Sequence, residues 1–133
     1  MFMKRAAGAG MKEITISQAV MDHLSNAQLK ILAETMVTDH AAIKTDLVAL
    51  AQKKGVELPA KDQSALTDEW SKKTDDVDRA YVKQMVSDHE GAVKLFEKAS
   101  KSADQDVAAF AQKTLPIVQH HLMMAQDLKK TID

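Results

Sequence analysis

A five-residue motif that ends in histidine occurs twice in the chain. Residues 36–40 read MVTDH and residues 85–89 read MVSDH. In each copy the histidine falls on the apolar side of a stretch with the three- and four-residue spacing of an amphipathic helix. A polar ring buried without a hydrogen bond or a metal costs roughly 2 kcal/mol or more. The repeat therefore predicts that His40 and His89 lie at the same height and need a partner.

Two further polar residues lie on the apolar sides of the other long helical stretches, each close to the middle of its helix. In a bundle of similar helices, equal heights place such residues in one layer. Imidazole suits Zn, Cu, Fe and Ni, and a carboxylate adds negative charge. The spacing predicts one transition-metal ion, with Zn, Cu and Fe as candidates. The predicted ligands are Glu13, His40, His89 and His121.

A metal-free alternative explains the same pattern. Glu13 would accept hydrogen bonds from the histidine rings, and the polar layer would fix the register of the helices. The protein would then be a structural or interaction module. The residues do not decide between these two interpretations.

Other polar and sulfur-containing residues near the histidines have more ordinary interpretations. Methionine at helical spacing usually fills a core, although thioethers beside the imidazoles would favour Cu(I). Asp39 and Asp88 fall at the edge of the apolar side and are predicted to be solvated, with orientation of a histidine ring as the alternative. His23 is predicted at the surface near the end of its helix. His120 is predicted to be exposed or at a helix–helix boundary, with a ligand on an entry route as the alternative. The peripheral candidate ligands are Met36, Met85 and Met124.

Composition and periodicity predict an all-α protein with one domain over residues 1–133. Four glycines and two prolines leave few turn formers for a sheet, and the absence of cysteine excludes disulfides and thiolate ligands. Capping residues are predicted at Ser25 and Ser102, and a kink at Pro116. Whether the connection between the second and third long helices crosses the bundle or caps it is open. The predicted long helices cover about 2–24, 25–54, 74–99 and 102–128, with a short helix within 56–73.

Several functional classes find no support in the chain. The net charge is −1 without a block of Lys or Arg, so nucleic acid is not an expected partner. No apolar run approaches the roughly 20 residues that span a bilayer. Nucleophile elbows and phosphate loops are absent, and the protein is expected not to be an enzyme. A metal centre that handles peroxide or oxygen is the third interpretation, and a homo-oligomer is left open.

A family resemblance is carried by five sets of residues: 11–14, 36–40, 55–59, 78–81 with 85–89, and 115–116 with 121–122. Together these segments resemble the bacterial ferritin-like proteins of domain of unknown function four-one-four-two, often labelled outer-membrane or secreted proteins. The resemblance implies a ferritin-like four-helix bundle with a long second connection, and export to the periplasm or envelope. The apolar part of the N-terminal segment is shorter than a signal peptide requires. We therefore expect either that the chain begins at the mature domain or that the protein is cytoplasmic.

The chain departs from the di-iron ferritin pattern, which needs Glu-x-x-His on two helices. Val37, Val86 and Val118 stand where those glutamates would be. Two irons would lack bridging carboxylates, so iron storage and ferroxidase chemistry are not expected. The prediction is a mononuclear site with a role in metal handling or stress tolerance.

Overall fold

The structure is a computed structural model that describes residues 1–132; Asp133, the last residue of the predicted domain, lies outside the described residues. Over residues 1–132 it contains helices and no strand, which confirms the all-α prediction. A short helix lies in the long second connection, as predicted. The helices are α1 (Phe2–Val20), α2 (Ala27–Lys54), α3 (Ser64–Ser71), α4 (Val77–Ala99) and α5 (Gln105–Ile132).

The buried apolar side chains form two clusters, one at each end of the long helices. We call them the upper and the lower cluster. Burying apolar surface of this kind is the main favourable term in folding. The upper cluster includes Val20, Leu29, Val82 and Ala125. The lower cluster includes Met3, Leu47, Phe96 and Val107.

These clusters give the direction of each long helix. α1 and α5 begin in the lower cluster and end in the upper one, whereas α2 and α4 run the opposite way. α2 and α4 are therefore parallel, and the segment between them has to travel the length of the molecule. Val56 and Leu58 pack against the lower cluster, and Trp70 is buried in the upper one. The connection therefore crosses from end to end.

Contacts between the long helices close into a ring. α1 contacts α2 and α4, and α5 contacts the same two helices. α3 lies against α1. Each long helix thus has two long neighbours, and its apolar side faces inward between them. No helix of residues 1–132 combines the length and apolar character needed to cross a bilayer.

Two helix starts differ from the predicted serine caps. Asn26 caps α2, because its Oδ1 accepts from the backbone N–H of Gln28 at 2.8 Å and of Leu29 at 3.2 Å. The backbone N–H groups of Ser25 and Asn26 donate to Asp78 at 2.8 and 3.0 Å. The Ser25 prediction is wrong because this contact from α4 fixes the entry of the chain into α2.

The Ser102 prediction for α5 is also wrong, because the cap lies two residues later, at Asp104. Asp104 Oδ1 accepts from the N–H of Asp106 at 3.0 Å and of Val107 at 3.3 Å, whereas Ser102 Oγ accepts from the N–H of Asp104. α5 is assigned as helix through Pro116 without interruption, and the kink there stays a prediction. Gly55 ends α2 in the left-handed conformation, at φ 66°, as its position predicted.

The two candidate caps of α2 can be separated by mutation. Asn26→Ala removes the acceptor for two helix N–H groups and is expected to lower the free energy of unfolding by about 1 kcal/mol. Ser25→Ala leaves the backbone bond from residue 25 to Asp78 in place. This variant is expected to change the free energy of unfolding by only a few tenths of a kcal/mol. Urea unfolding of both variants measures the difference. A larger loss for Ser25→Ala would contradict the assignment.

Candidate metal centre

One polar residue on each long helix is buried between the upper and lower clusters. On α2, for example, Met36 belongs to the upper cluster and Ile43 to the lower one, with His40 between them. We call the four residues the polar layer. Their exposed fractions are between 0 and 6%. The layer consists of Glu13, His40, His89 and His121.

Three members of the polar layer meet at its centre. The ring centroids of His40, His89 and His121 are 5.2 to 5.6 Å apart, close to an equilateral triangle. Each ring offers one nitrogen, and these three nitrogens lie within 4.8 Å of one another. The structure thus brings together the three histidines that the sequence places at one height. Three imidazoles at this spacing could hold one metal ion.

The His89 ring is fixed by its own helix. Its Nδ1 lies 2.8 Å from the carbonyl oxygen of Met85, one turn earlier. Because a carbonyl can only accept, Nδ1 carries the proton and Nε2 keeps a free lone pair. His89 Nε2 is buried and has no hydrogen-bond partner. This nitrogen is therefore set up as an electron-pair donor.

The His121 ring is fixed by a carboxylate of a neighbouring helix. Its Nε2 donates to Asp39 Oδ2 at 2.8 Å, which leaves the lone pair on Nδ1. His121 Nδ1 is likewise buried without a partner. Metal-binding histidines commonly donate their second N–H to a carboxylate, which fixes the tautomer and raises basicity. For Asp39, the alternative interpretation from the sequence, ring orientation, matches the structure.

His40 supplies the third unpartnered nitrogen, Nε2. A buried polar atom left unsatisfied costs about 1 to 3 kcal/mol. A proton on His40 Nε2 could satisfy the lone pair of His89 or of His121, but not both. One metal cation satisfies all three nitrogens together, so the donor set fits a bound metal ion.

The protonation of the cluster also suits a metal. Burial lowers the pKa of His40 to about 3, and positive charge on His121 or His89 would lower it further. Burial also lowers the pKa of His89 to about 4 and that of His121, although bonds to Met85 and Asp39 oppose the shift. All three rings are neutral near pH 7, and only neutral imidazole binds metal.

Glu13, the fourth predicted ligand, does not belong to this group of nitrogens. Its carboxyl interacts with Asp88 on α4, whose other contacts are Lys12 at 3.2 Å and Gln84 at 2.9 Å. Within residues 1–132, no donor from another group reaches Glu13 Oε2 or Asp88 Oδ2. A proton on Glu13, donated to Asp88, resolves this conflict. A direct bond from Glu13 to a metal stays a prediction.

The pKa of Glu13 supports the shared proton. Burial raises this pKa well above its ordinary value, and the hydrogen bond and negative charge of Asp88 raise it further, against the opposing charge of Lys12. Sequence reasoning missed the Glu13–Asp88 contact. One feature of the sequence could have indicated this contact: an aspartate precedes the histidine in both copies of the motif. In the structure Asp39 contacts His121 on α5, and Asp88 contacts Lys12 and Glu13 on α1.

A cavity of about 160 Å³ adjoins the imidazoles. His40 and His89 form part of its wall, together with Glu13 and Asp88. The rest is mainly apolar, with small side chains from α1 and larger ones from the other helices. The cavity therefore lies on the side of the cluster that is formed by His40 and His89.

The remaining candidates lie away from the three nitrogens or in the core. His23 and His120 are exposed, as predicted. Met36 and Met85 are fully buried in the upper cluster, and Met124 packs against it. These methionines are part of the apolar core, and their role as thioether ligands stays a prediction.

Comparison with known proteins identifies a family but no characterised relative. Residues 1–128 match the family described as Domain of unknown function (DUF4142). No curated protein matches the chain. No solved structure matches it. The ferritin-like and envelope features implied by the resemblance thus have no support from these comparisons.

The buried histidines make the stability of the metal-free protein sensitive to acid. As the pH falls, an unfolded histidine takes up a proton near pH 6.5, whereas folded His89 does so only near 4. The unfolded state then binds more protons, so stability falls. Between about pH 7.5 and 5, His89 is expected to account for a loss of about 2 kcal/mol.

Comparison with His89→Gln isolates the contribution of His89. Between about pH 7.5 and 5, the free energy of unfolding of this variant should fall by about 2 kcal/mol less than that of the unaltered protein. Glu13 has a raised pKa and stabilises the fold as the pH falls, but it is common to both proteins. Urea unfolding with chelator at several pH values provides the measurement. Parallel pH profiles for the two proteins would contradict the prediction.

Proposed function

We propose that this chain, which belongs to the DUF4142 family, binds one transition-metal ion through His40, His89 and His121. Two observations support the proposal. Each of the three buried imidazoles offers a nitrogen within 4.8 Å of the other two, and each has one buried nitrogen without a hydrogen-bond partner. Two of the rings also have their second nitrogen held by an acceptor, which turns the lone pair inward.

The ligand set favours borderline metals. Three imidazoles suit Zn²⁺, Cu²⁺, Ni²⁺ and Fe²⁺, and affinity at such a site generally peaks at Cu²⁺. The chain has no cysteine, so a thiolate site for softer ions is excluded. Three protein ligands and an open fourth position resemble catalytic rather than closed structural zinc sites. A bound ion could therefore exchange or take up a further ligand.

We further propose a ferritin-like four-helix bundle with a role in metal handling at the bacterial envelope. The ring of helix contacts and the end-to-end crossing support the fold, since ferritin-like bundles have one long crossover connection. Val37, Val86 and Val118 replace the glutamates of a di-iron centre, which favours a single metal and a non-enzymatic role. The envelope location rests on the family resemblance alone.

Metal analysis tests the proposal directly. Chelator-treated protein incubated with Zn²⁺ or Cu²⁺ is expected to retain one ion per chain and to unfold at a higher temperature, because binding to the folded state stabilises it by mass action. His89→Gln and His121→Gln should each abolish this shift. His120→Gln changes an exposed histidine next to His121 and should behave like the unaltered protein.

Failure to retain any of Zn²⁺, Cu²⁺, Ni²⁺ or Fe²⁺, together with an unchanged unfolding temperature, would overturn the proposal. The metal-free interpretation would then stand, in which the polar layer only sets helix register. Under that interpretation His89→Gln changes stability equally with and without metal.

The hydrogen bond between Asp39 and His121 is expected to raise the affinity for metal. Asp39→Asn keeps an acceptor for the ring N–H but removes the negative charge that raises imidazole basicity. Removal of such a partner typically costs about 10- to 100-fold in metal affinity. Isothermal titration with Zn²⁺ measures the loss. Asp46→Asn, which affects only an exposed pair with Lys113, is the matched control and should leave the affinity unchanged.

A further inference from the structure

A groove at the lower end of the molecule is bordered by three cationic side chains. It lies where the start of α1, the end of α4 and the start of α5 meet, and its volume is about 840 Å³. Arg5, Lys98 and Lys101 line the groove, and all three are exposed. Its lining, which comes from the described part of the chain, includes no Asp or Glu. The rim of the groove is therefore positively charged.

These three cations make no ion pair within residues 1–132. The acidic side chains at the start of α5, Asp104 and Asp106, pair instead with Lys53 and Lys54 of α2. Arg5 also lies in the first turn of α1, where the helix dipole disfavours a cation. Neither an ion pair nor the stability of α1 therefore explains the arginine.

The floor of the groove is apolar. Phe2 and Leu95 are half-buried there, and Ala99 and Val107 are buried. The Phe2 ring packs edge-on against Phe96, with 5.2 Å between the ring centroids, and this contact fixes it against the lower cluster. Small-molecule sites typically combine such an apolar lining with a few polar groups that orient the ligand. A cationic rim above an apolar floor fits an anionic head group on an apolar chain.

We propose that this groove binds a free single-chain carboxylate of the fatty-acid type. The chain lies on the apolar floor, and the carboxylate pairs with Arg5, Lys98 and Lys101. A guanidinium group can bind a carboxylate through two parallel hydrogen bonds. The volume lies within the range of about 300 to 1,000 Å³ that is usual for small-molecule sites. The groove shares no residue with the polar layer, so this inference is independent of the proposed metal site.

The shape of the groove favours a single chain over a membrane surface. Proteins that lie on a bilayer insert exposed apolar side chains into the interface. Among the lining residues only Met1 is a large apolar side chain that is exposed. The rest of the apolar lining is buried or half-buried, where a flat bilayer does not reach it but an acyl chain does.

Calorimetric titration of the full chain with dodecanoate, below its micelle concentration, tests the inference. We expect one dodecanoate per chain. From octanoate to dodecanoate the affinity should rise by about two- to fourfold per CH₂, because each added CH₂ buries more apolar surface. Dodecyltrimethylammonium has the same chain with a positive head group, and it should bind at least about tenfold more weakly.

Variants of the exposed cations test the position of the site. Arg5→Gln, Lys98→Gln and Lys101→Gln should each weaken dodecanoate binding by about two- to fivefold, as expected for exposed ion pairs, and the triple variant by about tenfold or more. Lys94→Gln is the matched control. Lys94 is an exposed lysine one turn before Lys98 on α4 and does not line the groove, so its variant should keep the affinity of the unaltered protein.

Several results would overturn the inference. These are no binding of dodecanoate, equal affinity in the triple variant and in Lys94→Gln, or equal affinity for the cationic amphiphile. Binding to phosphatidylglycerol vesicles without binding of dodecanoate would overturn it in favour of a membrane surface. Binding of a polyglutamate peptide without binding of dodecanoate would overturn it in favour of an acidic protein segment.

Discussion

Three buried imidazoles that meet between the two apolar clusters, each with one nitrogen that lacks a hydrogen-bond partner, are the constraint on which this structure depends. Each ring is held from behind or by burial: His89 by a carbonyl of its own helix, His121 by Asp39, and His40 by the core around it. Such an arrangement is unfavourable for empty rings, because neutral lone pairs in an apolar setting gain nothing from one another. The two apolar clusters above and below supply the burial that holds the rings in place.

The parallel course of α2 and α4 explains why a repeated motif builds one site. Because the connection crosses the molecule, both copies of the motif run in the same direction and present their histidines at one level. The copies nevertheless have different surroundings. Asp39 reaches α5 and fixes His121, whereas Asp88 reaches α1 and meets Lys12 and Glu13. Each aspartate of the repeated motif therefore forms a hydrogen bond with the polar-layer residue of a neighbouring helix: Asp39 with His121 and Asp88 with Glu13.

This difference makes the polar layer asymmetric. On the α5 side a third imidazole completes the cluster, and on the α1 side the buried Glu13 carboxyl and small residues line a cavity. The asymmetry separates the side that carries His121 from the side that carries the cavity. A layer built only to fix helix register would gain stability from filling that space, since unfilled core volume weakens packing.

The sequence by itself determined the all-α class, the positions of the helices to within a few residues and the burial of Glu13, His40, His89 and His121, because helical periodicity is a local property of the chain. Only the tertiary structure decided which polar groups pair. Periodicity gives the face and height of a residue but not the neighbour across from it. Contacts between residues distant in sequence decided four features of the structure. These are the capping of α2 beside Asp78, the Asp39–His121 bond, the Glu13–Asp88 pair and the crossing connection.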